Sequence, residues 1–358
     1  MFVENKKILP FRKPIISYSP NMDNFLSVLE NDHNITLPWI LEHYIDLIIR
    51  KDEINPPVFE FLDYNKIWWT CPFVHVSRID REAFSVYEDF QKAIRNLLQK
   101  NFYIFFLVDT FYVEGYVTYK KNHSIHDILV YGYEDEYVYA SDYFDFQNKS
   151  NKKILFSDLI EGYQKVPEGA DYGRGIVLFK NKGLSDNIAL YQYKECLGGK
   201  LDVEENGYFM DRNLVKVKLE RFLESQDYIN SVTPTLFDYR LGYTVGFKAL
   251  EVVKNVMSYR DAVTPKDIHL ICCHAEMMLE RVRYLMQFDQ NPELEVLQEK
   301  FRDILKQLDL IKKVIIKETI NNEKALPKGT WSAKIIIPRY EKFLNLYREA
   351  LVALFHYL

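Results

Sequence analysis

Residues 126–142 read H-D-I-L-V-Y-G-Y-E-D-E-Y-V-Y-A-S-D, and the fold of the N-terminal half turns on this stretch. Ile125 to Tyr131 and Tyr137 to Ala140 are rich in β-branched and aromatic residues, which predicts two strands. The connection Gly132 to Glu136 is polar and carries a glycine, as a hairpin loop would. His126 then opens one strand and Asp142 closes the next, so a hairpin brings them side by side. An imidazole acting as a general base needs an acceptor on its second nitrogen to fix the tautomer and stabilise the charged ring. Two neighbouring strands hold such a pair rigidly.

Upstream, Ser19-Pro20 predicts a helix start, with Ser19 as N-cap and Pro20 at the first helical position. Phe25, Leu26, Val28 and Leu29 supply its apolar stripe. Thr36 with Pro38 opens a second helix holding Ile40, Leu41, Tyr44, Ile45 and Ile48. Val58 to Leu62 suits a short strand. Arg81 to Leu98 predicts one amphipathic helix through Phe84, Tyr87, Phe90, Ile94 and Leu97. Phe102 to Val113 is β-like, and Ile154 to Phe156 with Gly175 to Phe179 complete the sheet. A short helix starts at Ser157-Asp158. The polar, glycine-bearing stretch 181–207 reads as a linker.

Beyond it the texture is helical: Leu214 to Leu223, Gly242 to Met257, Pro265 to Phe288, Pro292 to Glu318 and Pro338 to His356. In the fourth, Leu294, Leu297, Phe301, Ile304, Leu308, Ile311 and Ile315 alternate steps of three and four. With amphipathic neighbours, that seam predicts an antiparallel bundle. The expectation is an α+β protein with a sheet-bearing domain over 1–185 and an all-α bundle domain over 205–358.

Composition narrows the function classes. The 358 residues are 48% hydrophobic and 27% charged, with 26 tyrosines and 24 phenylalanines, ample for packed cores. A net charge of −5 without a dense basic run argues against nucleic acid or an anionic membrane as partner. The N-terminus lacks the apolar core of a signal peptide, and no apolar run is long enough to span a bilayer, so a cytoplasmic location is expected. The four cysteines show no framework spacing, and no disulfide, metal or cofactor is expected.

The His-hairpin-Asp arrangement resembles the papain-like fold of bacteriocin-processing cysteine peptidases. It looks still more like the N-terminal domain of butirosin biosynthesis protein H. Cys71-Pro72 followed by His75 and Arg78, the helical pattern from Arg81, the strand with Asp109 and the helical C-terminal half are similar to proteins of bacterial nonribosomal peptide synthetase clusters. The resemblance implies a papain-like N-terminal domain. It also implies an accessory protein of nonribosomal peptide or aminoglycoside-type biosynthesis, moving an acyl group from a carrier-protein thioester to an amine. His126 would be the base and Asp142 its orienter. The implied partners are an acyl- or peptidyl-carrier protein and a second copy through the helical domain.

The family nucleophile is a cysteine at the start of the first helix. This chain has Ser19, Pro20, Asn21, Met22 and Asp23 there. Ser19 allows two readings, a helix cap or a nucleophile reached by His126. The missing thiol opens two alternatives to transfer: a catalytically inactive binding or scaffold protein, and a peptidase or amidase. Asp109, Trp69 and Asp23 are expected to line the substrate cleft. Cys71 with His75 reads as a packed edge or as a Cys–His pair. His269, Cys272, Cys273 and Glu276 share a helix face, which suits core packing or, less well, a metal.

Overall fold

A computed structural model describes residues 5–50, 58–62, 67–87, 89–170, 175–182, 208–226, 243–257, 263–323 and 333–358. The linker expected at 181–207 therefore lies almost wholly outside the described residues. The chain forms two compact units, one of Met1–Thr36 with Asn65–Gly207 and one of Leu37–Tyr64 with Tyr208–Leu358. The chain is mixed α+β, with antiparallel sheets and a helical C-terminal region, but the second unit is not all-α as expected, because it carries a small sheet of its own.

In chain order the elements are β1 (Lys6–Ile8), α1 (Pro20–Leu29), α2 (His33–Glu42), β2 (Leu47–Arg50), β3 (Val58–Phe61), α3 (Ile67–Thr70), β4 (Val74–Ile79), α4 (Arg81–Ser85) and α5 (Phe90–Gln99). Then come β5 (Tyr103–Asp109), β6 (Ile125–Glu134), β7 (Tyr137–Asp142), β8 (Ser150–Leu155), α6 (Phe156–Gln164) and β9 (Ile176–Asn181).

The first unit is organised around a seven-stranded antiparallel sheet, in order β4-β9-β5-β6-β7-β8, with β1 pairing onto β6. Strand alternation gives the sheet two apolar faces, and each is covered by helix. On one face Phe105 lies near Trp68 and Phe179, and Phe25 of α1 packs against both of those rings. On the other, Phe106 meets Phe90 of α5 and Tyr163 of α6. Burying one such ring contributes roughly 1.5–3 kcal/mol.

Two local readings are corrected here. The helix expected over Arg81 to Leu98 is broken between Ser85 and Phe90. Asp80 caps the first piece through the Glu82 N–H, and Asp89 caps the second through the Lys92 N–H. Each Asp offers the backbone a start signal that the apolar periodicity overlooks. The hairpin loop is also shorter than expected. The strands stay paired to Glu134 and Tyr137, and Asp135 turns the chain at φ +48°. Gly132 sits inside β6 at a register shift, and a Cβ there would lie 2.8 Å from the Lys7 carbonyl oxygen. Its glycine lets β1 approach rather than making the turn.

The second unit takes in a stretch that the expected boundary gave to the N-terminal domain. β2 pairs with β3 and with Tyr243–Val245 in a small antiparallel sheet. The helix expected through Ile48 ends at Glu42, and Ile48 lies on β2. A strand likewise occupies the start of the predicted Gly242 to Met257 helix, whose helical part is Phe247–Val256. The cause is tertiary. Arg281 donates to the Leu41 carbonyl at 2.8 Å and also to the His43 carbonyl, and His274 Nε2 lies 2.7 Å from the Ile45 carbonyl. Residues 41–45 thus find their hydrogen-bond partners on the Pro265–Met286 helix.

The heptad seam behaves as its spacing indicates. Leu294, Leu297, Phe301, Ile304, Leu308, Ile311 and Ile315 are all buried. Their helix, Pro292–Glu323, packs against Pro265–Met286 and Ala333–Tyr357. Thr264 and Asp267 form a reciprocal capping box at the start of the Pro265–Met286 helix. No helix among the described residues is long and apolar enough to cross a membrane.

Candidate functional site

His126 and Asp142 come together as the hairpin requires. His126 Nδ1 lies 2.7 Å from Asp142 Oδ2, and the same ring nitrogen is 3.2 Å from the Asp127 carbonyl. The carboxylate is fully buried, whereas 21% of the His126 side chain is exposed. Asp142 therefore cannot leave the ring for water, while the ring keeps an accessible edge. The Tyr116 hydroxyl also donates to Asp142 Oδ2. Phe146 stands edge-on to the imidazole at 5.2 Å. Burial alone would lower the His126 pKa. The hydrogen bond to Asp142 and the charges of Asp142 and Asp127 outweigh burial together, so the pKa is raised above its usual 6.5. Such a ring is a base poised to take a proton near neutrality.

Ser19 is not brought to this pair. Register pairs His126 with Val108 and Ile128 with Phe106, on the face covered by α5 and α6. Asp142 follows Ala140, the partner of Val130, and so belongs to the same face. Tyr143, one residue on, turns the other way, and its hydroxyl donates to Asp23 of α1. Ser19 precedes α1, the helix whose Phe25 packs on the other face, and its Oγ makes no hydrogen bond to His126. It does not act as a side-chain cap either: its Oγ is buried without a hydrogen-bond partner.

The other expected site residues are also redistributed. Asp23 is buried and saturated: it accepts from Ser17 Oγ at 2.5 Å, from the backbone N–H groups of Tyr18 and Ser19, and from Tyr143. It closes the N-terminus of α1 instead of lining a cleft. Trp69 is exposed, and its neighbour Trp68 does the packing. Cys71 is buried, which pushes its thiol up to about 12, while His75 is exposed. That favours the packed edge over a Cys–His pair. Asp109 pairs in register with Ile125, one step out of phase with His126, and holds a different histidine. His123 Nδ1 is 2.7 Å from Asp109 Oδ2.

Two participants escaped the sequence reading. His123 sits in the irregular segment between β5 and β6, where no periodicity marks it. Lys149 lies beyond β7, with Nζ 2.9 Å from Ser27 Oγ. Burial pulls its pKa down to about 8, against the opposing pull of Asp23 and Asp142. On the helical unit, His269 is 3.1 Å from Lys312 Nζ, and Cys272 and Cys273 are buried. Among the described residues, no group of three or more His, Cys, Asp or Glu side chains is placed to hold a metal.

No protein-family model matches this chain, and no curated protein matches it either.

Proposed function

We propose that the first unit is a papain-like domain of an accessory protein in natural-product biosynthesis. In this reading it transfers an acyl group from a carrier-protein thioester to an amine, with His126 as general base and Asp142 as its orienter. The observation that carries the proposal is the 2.7 Å contact between His126 Nδ1 and the fully buried Asp142 carboxylate. The antiparallel sheet with α1 against one face supports the fold comparison.

The separation of Ser19 from the pair favours a route without an acyl-enzyme. His126 Nε2 takes the proton from the attacking amine as its nitrogen adds to the thioester carbonyl. The C–S bond then breaks, and the imidazolium returns the proton to the leaving thiolate. Proton and electron pair balance without a protein nucleophile. The same separation favours the second reading, in which the cleft binds a carrier protein or peptide product and catalyses nothing. Hydrolysis of an amide by a His126-activated water remains the weaker variant, since water is a poorer nucleophile than an amine. A carrier protein, and a second copy through the helical unit, are the partners this proposal implies.

The test is to incubate acylated carrier protein with candidate amines and follow the acyl mass. Loss of the acyl group with wild type and Ser19→Ala, but not with His126→Ala, supports transfer. If wild type and His126→Ala leave the thioester equally intact, transfer is overturned. Retained carrier binding by calorimetry would then favour the scaffold reading.

A further inference from the structure

We propose that His123 and Asp109 form a second, separate site that binds a small organic acid bearing a hydroxyl or amino group on an apolar body. The site is built where the end of β5, the start of β6, the segment joining them and the chain after α6 meet, and it stands whether or not His126 acts as a base.

Three observations converge. The first is a fixed imidazole. Asp109 is buried, and its two oxygens are both committed: Oδ1 accepts the Phe111 N–H at 3.1 Å, and Oδ2 lies 2.7 Å from His123 Nδ1. A carboxylate anchored by the backbone holds the ring's Nδ1–H, so the neutral ring offers Nε2 as an acceptor. Phe111 stacks on the imidazole at 4.3 Å and 17°, which fixes its plane. Yet 62% of the His123 side chain is exposed. A surface histidine held by a carboxylate on one nitrogen and by a ring on one face, with the rest open, has the geometry of a recognition group.

The second observation is space. A cavity of about 320 Å³ lies against this pair, lined by Asp109, His123, Tyr112, Ile125, Lys165 and Pro167 among others. That volume is at the small end of ligand sites. The third is the chemistry of the lining. Tyr112, Ile125 and Pro167 give an apolar wall. Lys165 Nζ lies 6.0 Å from the Tyr112 ring centre, and the Tyr112 and His123 rings are 5.8 Å apart. Tyr112 thus neighbours both a cation and a hydrogen-bond acceptor. Because Asp109 is occupied by His123, Lys165 is the charge left to meet a ligand. An ammonium, an apolar wall and an imidazole acceptor together fit a carboxylate, an apolar body and a hydroxyl or amine.

The probes are phenyllactate and phenylalanine, with phenylpropionate as the analogue lacking the hydroxyl or amine. The full-length protein, labelled in its eight histidines, is titrated while the ring signals are followed by NMR. The His123 signal is assigned from His123→Ala. Saturable movement of that signal by phenyllactate or phenylalanine is expected, with His126 still. Phenylpropionate should bind about tenfold more weakly, since one hydrogen bond to the ring is lost. Lys165→Met should weaken the acids by a similar factor, and Lys165→Arg should restore them. Both lysine variants alter an exposed side chain, so folding is not at stake. The proposal is overturned if none of the three probes moves the signal up to millimolar concentration, or if phenyllactate affinity measured by calorimetry is unchanged in both His123→Ala and Lys165→Met.

Discussion

His126 in the sheet unit and His274 in the helical unit are both anchored histidines, yet they are built for opposite charge states. His126 faces a buried carboxylate and keeps an accessible edge, so its protonated form is favoured. His274 is fully buried between the Tyr347 hydroxyl and the Ile45 carbonyl, 2.5 and 2.7 Å away, and burial pulls its pKa down to about 3. One ring is held ready to exchange a proton. The other is held neutral as a cross-link between the Pro265–Met286 helix and the chain entering β2. The difference lies in the partner and the solvent, not in the residue type.

The largest expected effect breaks the comparison on the side of stability. His274→Ala opens a cavity and leaves the Tyr347 hydroxyl and the Ile45 carbonyl without partners. It should cost about 3 kcal/mol in urea unfolding. His126→Ala should cost less, about 1–2 kcal/mol, because its ring is partly wet and the Tyr116 hydroxyl still donates to the buried Asp142. Equal costs would mean that the two histidines play the same structural part.

pH separates them by sign. His274 has a folded pKa below its unfolded value, so the unfolded chain binds the extra proton between the two. Its contribution is intact above about pH 6.5 and is lost as pH falls toward 3, by about 1.4 kcal/mol per pH unit. His126 has a raised folded pKa. Its contribution is intact below about pH 6.5 and is lost as pH rises through the folded value. Unfolding midpoints from pH 4 to 8 (about the window set by these values) should show a shallower acid limb in His274→Gln and a shallower neutral-to-alkaline limb in His126→Gln. Identical limbs in wild type and both variants would contradict the assignment.

These contrasts also show what a sequence can carry. His126 and Asp142 were legible because strand alternation and a tight turn force strand ends together, whatever packs above them. The seam from Leu294 to Ile315 was legible for the same reason, being a periodicity that only one face of a helix satisfies. Ser19 was not. Its place at a helix start can be read from Pro20, but the sheet face that the helix covers depends on where Phe25 packs, and sequence does not contain that. The membership of residues 37–64 was hidden likewise, since it rests on Arg281 and His274 reaching carbonyls more than two hundred residues away in the chain. His123 was missed because an irregular connection has no period to betray which side chains converge.

The smallest effect sharpens the comparison at the carboxylate itself. Tyr116→Phe removes the hydroxyl that shares Asp142 Oδ2 with the imidazole. The freed oxygen becomes a better acceptor for His126. The ring pKa should rise slightly, while stability changes by about 1 kcal/mol or less. A fall in the ring pKa would mean that Tyr116 supports the pair rather than competing for its acceptor.

The most direct test of the account is the protonation of His126 itself, followed by NMR of the imidazole nitrogens across pH in wild type and Asp142→Asn. The wild-type ring is expected to carry hydrogen on Nδ1 when neutral and to titrate above the ordinary histidine value. Asp142→Asn should bring that titration down, because burial is then left without its counterweight. A wild-type ring neutral through Nε2–H, or a titration that Asp142→Asn leaves in place, would contradict the pairing on which the proposed base rests.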